Sequence, residues 1–168
     1  MSSNIKLSLR DKALECHRDD QLSWSIPIAA ILLVAEYTTN EGPYLDDYFL
    51  EIWSLENNSL LCSKTTFYAD GRDAAFLALA TQLGTDLSFG LTGSTKWTSR
   101  IMWPPDLAGH PYFSFREITP NNWRAKLSRR FFGATREYFR TEEVQSFLNK
   151  HRVQSQEHGS SESASALS

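Results

Sequence analysis

The sequence predicts an α+β fold: a mainly antiparallel sheet, a helix at about 72–83 and C-terminal helices at about 120–150. Three observations carry this. Segments of the first seventy residues alternate polar and apolar side chains, the pattern of half-buried strands. The period then changes: Phe76, Leu79, Ala80 and Leu83 recur at i, i+3, i+4 and i+7, as one face of a helix does. Finally, 41% hydrophobic residues against 22% charged, with five Trp and ten Phe, supply enough apolar surface for a real core and exclude disorder for the body of the chain.

Taken in order, Ile5-Lys-Leu-Ser-Leu-Arg10 alternates as a strand, and 12–18 form the next. Arg10-Asp11 and Arg18-Asp19-Asp20 mark turns. Leu22, Trp24, Ile26 and Ile28 share one face of a third strand, and Pro27, which cannot donate to a ladder, makes that piece an edge or a strand end. Residues 30–39 continue as an apolar strand covered on both faces. Asn40-Glu-Gly-Pro-Tyr44 is a loop by its turn chemistry. The aromatic stretch 47–55 is a strand, Glu56-Asn57-Asn58 a hairpin turn because Asn tolerates a left-handed backbone, and 59–68 the returning partner.

Asp70 can cap the helix that follows, and Gly84 sits where a C-cap glycine belongs. Residues 86–92 and 98–103 read as two short strands, the second closed by Pro104-Pro105. A loop over 106–119 holds a possible strand at 112–116. Thr119-Pro120 pairs a cap with proline at the first helical position, so a helix should run to about 132, where Gly133 interrupts it. A second helical stretch fits 134–150, although Thr141 can equally cap a fresh helix. From His151 the composition turns to Ser, Gln, Glu, Gly and Ala without an apolar period. The expected organisation is one α+β domain over 1–150 and a disordered Ser-rich tail over 151–168, whose ordering entropy nothing repays.

Charge is distributed unevenly. Residues 1–120 hold 9 Lys/Arg against 15 Asp/Glu, a net of −6, whereas 121–152 hold 8 against 3, a net of +5. Two cysteines, Cys16 and Cys62, both in strand-like segments, are expected as buried thiols of a reducing compartment rather than a disulfide framework. The N-terminus lacks the apolar stretch of a signal peptide, and the longest apolar run, Ile26 to Ala35, has about half the roughly 20 residues a bilayer span needs. A cytoplasmic protein is the expectation.

Leu22-Ser-Trp-Ser-Ile-Pro-Ile28, Asp46-Asp47-Tyr-Phe-Leu50 and the helix around Ala75–Leu83 together resemble the bacterial pleckstrin-homology-like, or GRAM-like, domains over roughly residues 13–83. The resemblance implies a curved sheet, a PH-like roll, closed at one end by a helix. It also implies binding of lipid head groups or peptides rather than catalysis. This chain departs from the pattern by its strands and helices after residue 83, and by lacking the Lys/Arg cluster in an early strand loop that phosphoinositide binders use.

The foremost candidate binding site is basic and aromatic: Trp123, Arg124, Lys126, Arg129, Arg130 and Phe131. On a helix Trp123, Leu127 and Phe131 form a stripe, flanked by Lys126 and Arg130, with Arg124 and Arg129 lying off it. Such a stripe packs on a sheet, grips an acidic protein partner or lies on an anionic membrane surface. Nucleic acid fits a net charge of −3 poorly. Asp46-Asp47 end a loop before a strand; strand neighbours point to opposite faces and do not share a cation easily. Gly90-Leu-Thr-Gly-Ser-Thr95 reads as a hairpin turn, lacking both phosphate-loop and dinucleotide glycine spacing. Trp97 and Trp103 read as core residues of the late strands, or as a docking surface beside Pro104-Pro105. No CxxC, HExxH or GxSxG is present, and His110 with Asp106 is the best acid–base pair available. The sequence therefore points to a non-enzymatic protein-interaction module that binds a protein partner or itself. It would need no metal or cofactor. A membrane adaptor and a small enzyme are the other readings.

Overall fold

Three two-residue turns organise most of the strands. Asp11-Lys12, Asp19-Asp20 and Asn57-Asn58 all have both residues at positive φ, between 49° and 63°. That is the geometry whose twist matches antiparallel strands, and short Asp and Asn side chains tolerate it best. The computed structural model describes residues 4–39, 46–94, 96–117 and 136–165. The first two turns join β1 (Ile5–Arg10), β2 (Ala13–Arg18) and β3 (Gln21–Pro27) into a three-stranded antiparallel sheet. Pro27 closes β3, an edge of that sheet, where a missing N–H costs no ladder bond.

A 3-10 turn at Ile28–Ala30 leads into β4 (Ile31–Thr38), the centre of a second sheet. Its strand order is β6-β5-β4-β7, with β5 (Tyr48–Glu56), β6 (Ser59–Thr66) and β7 (Thr98–Trp103), all antiparallel. β8 (Phe113–Glu117) pairs antiparallel with β9 (Arg136–Arg140) in a third, two-stranded sheet. The described helices are α1 (Arg72–Leu83) and α2 (Glu142–Ser165). The fold is thus α+β with mostly antiparallel sheets.

The four-stranded sheet has a hydrophobic layer on each face. Val34, Leu50, Ile52 and Met102 meet Leu7, Leu14 and Ile26 of the first sheet and Ala75, Phe76 and Leu79 of α1. Leu33, Ala35, Tyr37 and Ile101 point the other way, toward Tyr112, Phe113 and, on α2, Val144 and Leu148. β4 is buried along nearly its whole length because both of its faces are covered.

Several local readings of the sequence are corrected. Residue 71, not Asp70, is the N-cap of α1: Gly71 has φ 73°, and no side chain caps the helix. Asp70 is engaged through its backbone, its N–H donating to Ile5 O and its carbonyl accepting from Leu7 N–H, each at 2.8 Å. Residues 86–92 form no strand. Residues 136–140, read as helical, are β9, because Tyr138 and Phe139 favour an extended backbone and β8 supplies a partner. Thr141 then caps α2, its Oγ1 accepting from Val144 N–H at 3.4 Å. The α2 backbone continues to Ser165, into the segment whose composition suggests a disordered tail. The predicted helix at 120–132 lies outside the described residues. Cys16 is buried as expected, whereas Cys62 is exposed on the edge strand β6. Both thiols are free.

The loop 86–92 has a structural task of its own. A Cβ on Gly90 would stand 2.4 Å from Arg100 Cζ and 2.6 Å from both terminal guanidinium nitrogens. Arg100 cannot swing aside, since it bonds Ser88 O at 2.6 Å and Glu36 Oε1 at 2.8 Å. Gly90→Ala is therefore expected to lower stability by about 1–3 kcal/mol, measured by urea unfolding, through overpacking against a pinned side chain. A loss below about 0.5 kcal/mol would mean that the loop shifts freely.

Candidate functional site

Two carboxylates are buried on opposite faces of the four-stranded sheet. Ala35 faces Glu51 and Glu36 faces Leu50 across the β4–β5 ladder, so alternation sends Glu36 and Glu51 to opposite sides. Ionised carboxylates leave water only when they are paired and hydrogen-bonded. The two sides meet this requirement differently.

Glu36 is fully buried. Its Oε1 accepts from Arg100 Nε at 2.8 Å and from Gly90 N–H at 2.9 Å, and Arg100 Nη2 lies 2.6 Å away. The Tyr48 hydroxyl donates to Oε2. Burial, followed by this bond, pushes Tyr48 well above the ordinary tyrosine range, so it remains the proton donor. Both carboxylate oxygens of Glu36 are thus engaged by protein donors.

Glu51, 7% exposed, sits beneath a cavity. Its Oε2 accepts from the Tyr112 hydroxyl at 2.5 Å and from Cys62 Sγ at 3.5 Å, with Arg140 Nη2 at 3.9 Å. The Tyr112 oxygen in turn accepts from Trp53 Nε1 at 2.8 Å and Arg140 Nε at 3.2 Å. The Arg140 guanidinium lies over the Trp53 ring, 4.5 Å from its centroid, an arrangement that a cation and an indole face favour. Three strands and the segment before β8 supply this network: Glu51 and Trp53 from β5, Cys62 from β6, Arg140 from β9 and Tyr112 from that segment.

Burial, then the charge of Glu51, raises Tyr112 far above the usual tyrosine value. Although Cys62 as a residue is exposed, its Sγ lies against Glu51, and loss of solvent around the sulfur, then the Glu51 charge, push the thiol up to about 12. Cys62 is therefore expected to react with iodoacetamide at pH 8 about 30- to 100-fold more slowly than an unstructured cysteine, after allowing for the greater nucleophilicity of a more basic thiolate. Its rate should also keep climbing through pH 10, where an ordinary thiol has levelled off. Mass spectrometry of the alkylated peptide reads this out, with urea-unfolded chain as reference; matching rates would show that Glu51 does not hold the thiol.

The cavity measures about 720 Å³. Trp53, Leu60, Phe113, Tyr138 and Phe139 form apolar walls, while Glu51, Arg140, Gln145, Asn149 and Arg152 supply polar groups. Tyr138 and Phe139 are about half exposed. Phe113 holds the aromatic wall together, its ring centroid 5.1 Å from those of Tyr37 and Tyr138 in edge-on contacts. Gln145, Asn149 and Arg152, at i, i+4 and i+7 of α2, fall on one helix face. Gln145 Nε2 donates to Arg140 O at 2.7 Å, which fastens the start of α2 to β9.

The basic aromatic candidates Trp123, Arg124, Lys126, Arg129, Arg130 and Phe131 lie outside the described residues. Of the other candidates, His110 partners Glu143 rather than Asp106, with Nδ1 2.9 Å from Oε2 and both side chains half-exposed or more. His17 is carried by β2 in the three-stranded sheet. Asp47 accepts from the Tyr68 hydroxyl at 2.7 Å, and this bond pushes Tyr68 up to about 12, whereas Asp46 is exposed. Gly93, at φ 83°, turns a loop leading into β7 rather than a hairpin, since no strand precedes it. Trp103 packs against the first hydrophobic layer, and Trp97 stands 5.3 Å from the Tyr138 ring, both half-buried. Among the described residues, no three His, Cys, Asp or Glu side chains are grouped to hold a metal ion. Nor, among them, is any helix long and apolar enough to cross a membrane.

Sequence reasoning missed Glu51, Trp53, Tyr112 and Arg140 as a group. A signal was available: Glu36 in β4 and Glu51 in mid-β5 are carboxylates flanked by apolar strand residues, and each demands a partner. Fold and cavity define an α+β protein with mostly antiparallel sheets and a polar-floored aromatic cavity. Compared with family models, curated proteins and solved structures, the chain matches none.

Proposed function

We propose that this chain is a non-enzymatic protein-interaction module and that the cavity beside Glu51 is its recognition site. The observation supporting this reading is the state of the cavity floor. Catalysis of acyl or proton transfer needs a group poised to exchange a proton near neutral pH. Here the Cys62 thiol and the Tyr112 hydroxyl are both held protonated against Glu51, and among the described residues no histidine lines the walls. The rim, by contrast, has what interfaces use: half-exposed aromatic rings beside two arginines. The likeness of residues 13–83 to pleckstrin-homology-like domains, whose roll is closed by a helix, agrees with this. α1 packs against β1 and the 3-10 turn at Ile28–Ala30.

Affinity capture from lysate with the intact chain tests the reading, using Tyr138→Ser/Phe139→Ser as the cavity variant. A stoichiometric protein captured by the native chain and lost from the variant is the expected result. A second variant, with Glu at 124, 129 and 130, reports separately on the basic segment and its acidic or membrane partners. Consumption of a lysate metabolite by the native chain, abolished by Glu51→Gln, would overturn the non-enzymatic reading.

A further inference from the structure

We infer that the occupant of the cavity is an aromatic carboxylate: a flat ring carrying one carboxylate, either a free acid or the C-terminal aromatic residue of a partner chain. This rests on the reading of the cavity as a recognition site and names the chemistry that it selects. The charge balance is the first argument. Two guanidiniums, Arg140 and Arg152, face one carboxylate, Glu51, so the lining carries a net positive charge. Glu51 is not free to neutralise it: its close donor is Tyr112 at 2.5 Å, while the nearest terminal nitrogen of Arg140 stands at 3.9 Å. No acidic side chain among the described residues pairs with Arg152, which is exposed.

The second argument is preorganisation. Tyr112 holds Arg140 Nε at 3.2 Å and Trp53 stacks beneath the guanidinium, which fixes its plane without using its terminal nitrogens on a close carboxylate. A guanidinium fixed in this way offers the two parallel N–H groups that match a carboxylate. Shape is the third. Phe113, Tyr138, Phe139 and Trp53 present ring faces and edges on which another ring packs favourably, and about 720 Å³ lies within the range of small-ligand sites. Asn149, on the same helix face as Arg152, can hydrogen-bond the carboxylate or an adjoining amide.

The test titrates the intact chain with N-acetyl-L-phenylalanine and its neutral amide. A pentapeptide ending in Phe is titrated in parallel, with a free or an amidated C-terminus. Binding is followed by calorimetry and by chemical shifts of Phe139 and Arg140. The free carboxylates should bind at least about tenfold tighter than the amides, the scale of a charge-assisted hydrogen-bonded pair. In Arg152→Gln, an exposed change expected to leave the melting temperature in place, that preference should fall below about threefold. Equal binding of acid and amide overturns the inference while leaving the cavity as a recognition site, as does an unchanged preference in Arg152→Gln. No binding by any probe overturns it as well, and only the capture experiment then bears on the module reading. Carboxylate preference in both ligand pairs supports a free acid, and in the peptide pair alone a chain terminus.

Discussion

Replacing Arg100 by Met should cost the fold about 3–5 kcal/mol, the range for removing one member of a buried ion pair. The reason is the complete burial of Glu36, at 0% exposure, whose only cationic partner among the described residues is Arg100. Without the guanidinium, Tyr48 and Gly90 still donate to the carboxylate, but two neutral donors do not offset a charge removed from water. Arg100 is itself 29% exposed, so part of its head is hydrated and the loss belongs near the lower end of that range. Chemical denaturation at pH 7 measures it. For a domain whose total stability is about 5–15 kcal/mol, the shift would be large and visible as a lower melting temperature. The double replacement Glu36→Leu/Arg100→Met should recover much of the loss, because the uncompensated charge goes as well. A single-variant loss below about 1 kcal/mol would show that something other than Arg100 neutralises Glu36.

The contrast between this cluster and the strands around it shows what the sequence carries locally. The α+β class and the antiparallel sheets were legible, because alternation and turn residues act over a few positions. Asn57-Asn58 marks a turn wherever it stands between apolar runs, and Pro27 marks a strand end. The pairing of Glu36 with Arg100 spans 64 residues, and that of Glu51 with Tyr112 spans 61. No local period announces such a contact; only the requirement that a buried carboxylate be satisfied points to it. β9 was misread for a related reason. Arg136 to Arg140 is too short to show a period, and what makes it extended is β8, a partner from another part of the chain. Residues 86–92 differ in the opposite direction: apolar enough for a strand, they instead turn backbone groups onto the buried pair, Ser88 O accepting from Arg100 and Gly90 N–H donating to Glu36.

Tyr112→Phe is the second change with a large expected effect, about 2–4 kcal/mol, and its size distinguishes two ways the cavity floor can be held. One hydroxyl serves three partners: it donates to Glu51 and accepts from Trp53 Nε1 and Arg140 Nε. A phenylalanine fills the same volume, so the loss measures hydrogen bonding rather than packing. Each buried polar group left unmet costs about 1–3 kcal/mol, more if charged, with some relief from water entering the cavity. If the hydroxyl is the link between Glu51 and Arg140, its removal lets the guanidinium close the 3.9 Å gap onto the carboxylate. That closure would return part of the stability and withdraw Arg140 from the ligand. The expected pattern is therefore a measurable loss in unfolding free energy together with a drop in carboxylate preference. Combining the change with Glu51→Gln in a double-mutant cycle should give a coupling of about 1–3 kcal/mol, as for residues sharing one network. A coupling near zero would mean that Tyr112 and Glu51 are held independently, with Arg140 kept in place by the Tyr112 oxygen and the Trp53 ring without help from Glu51.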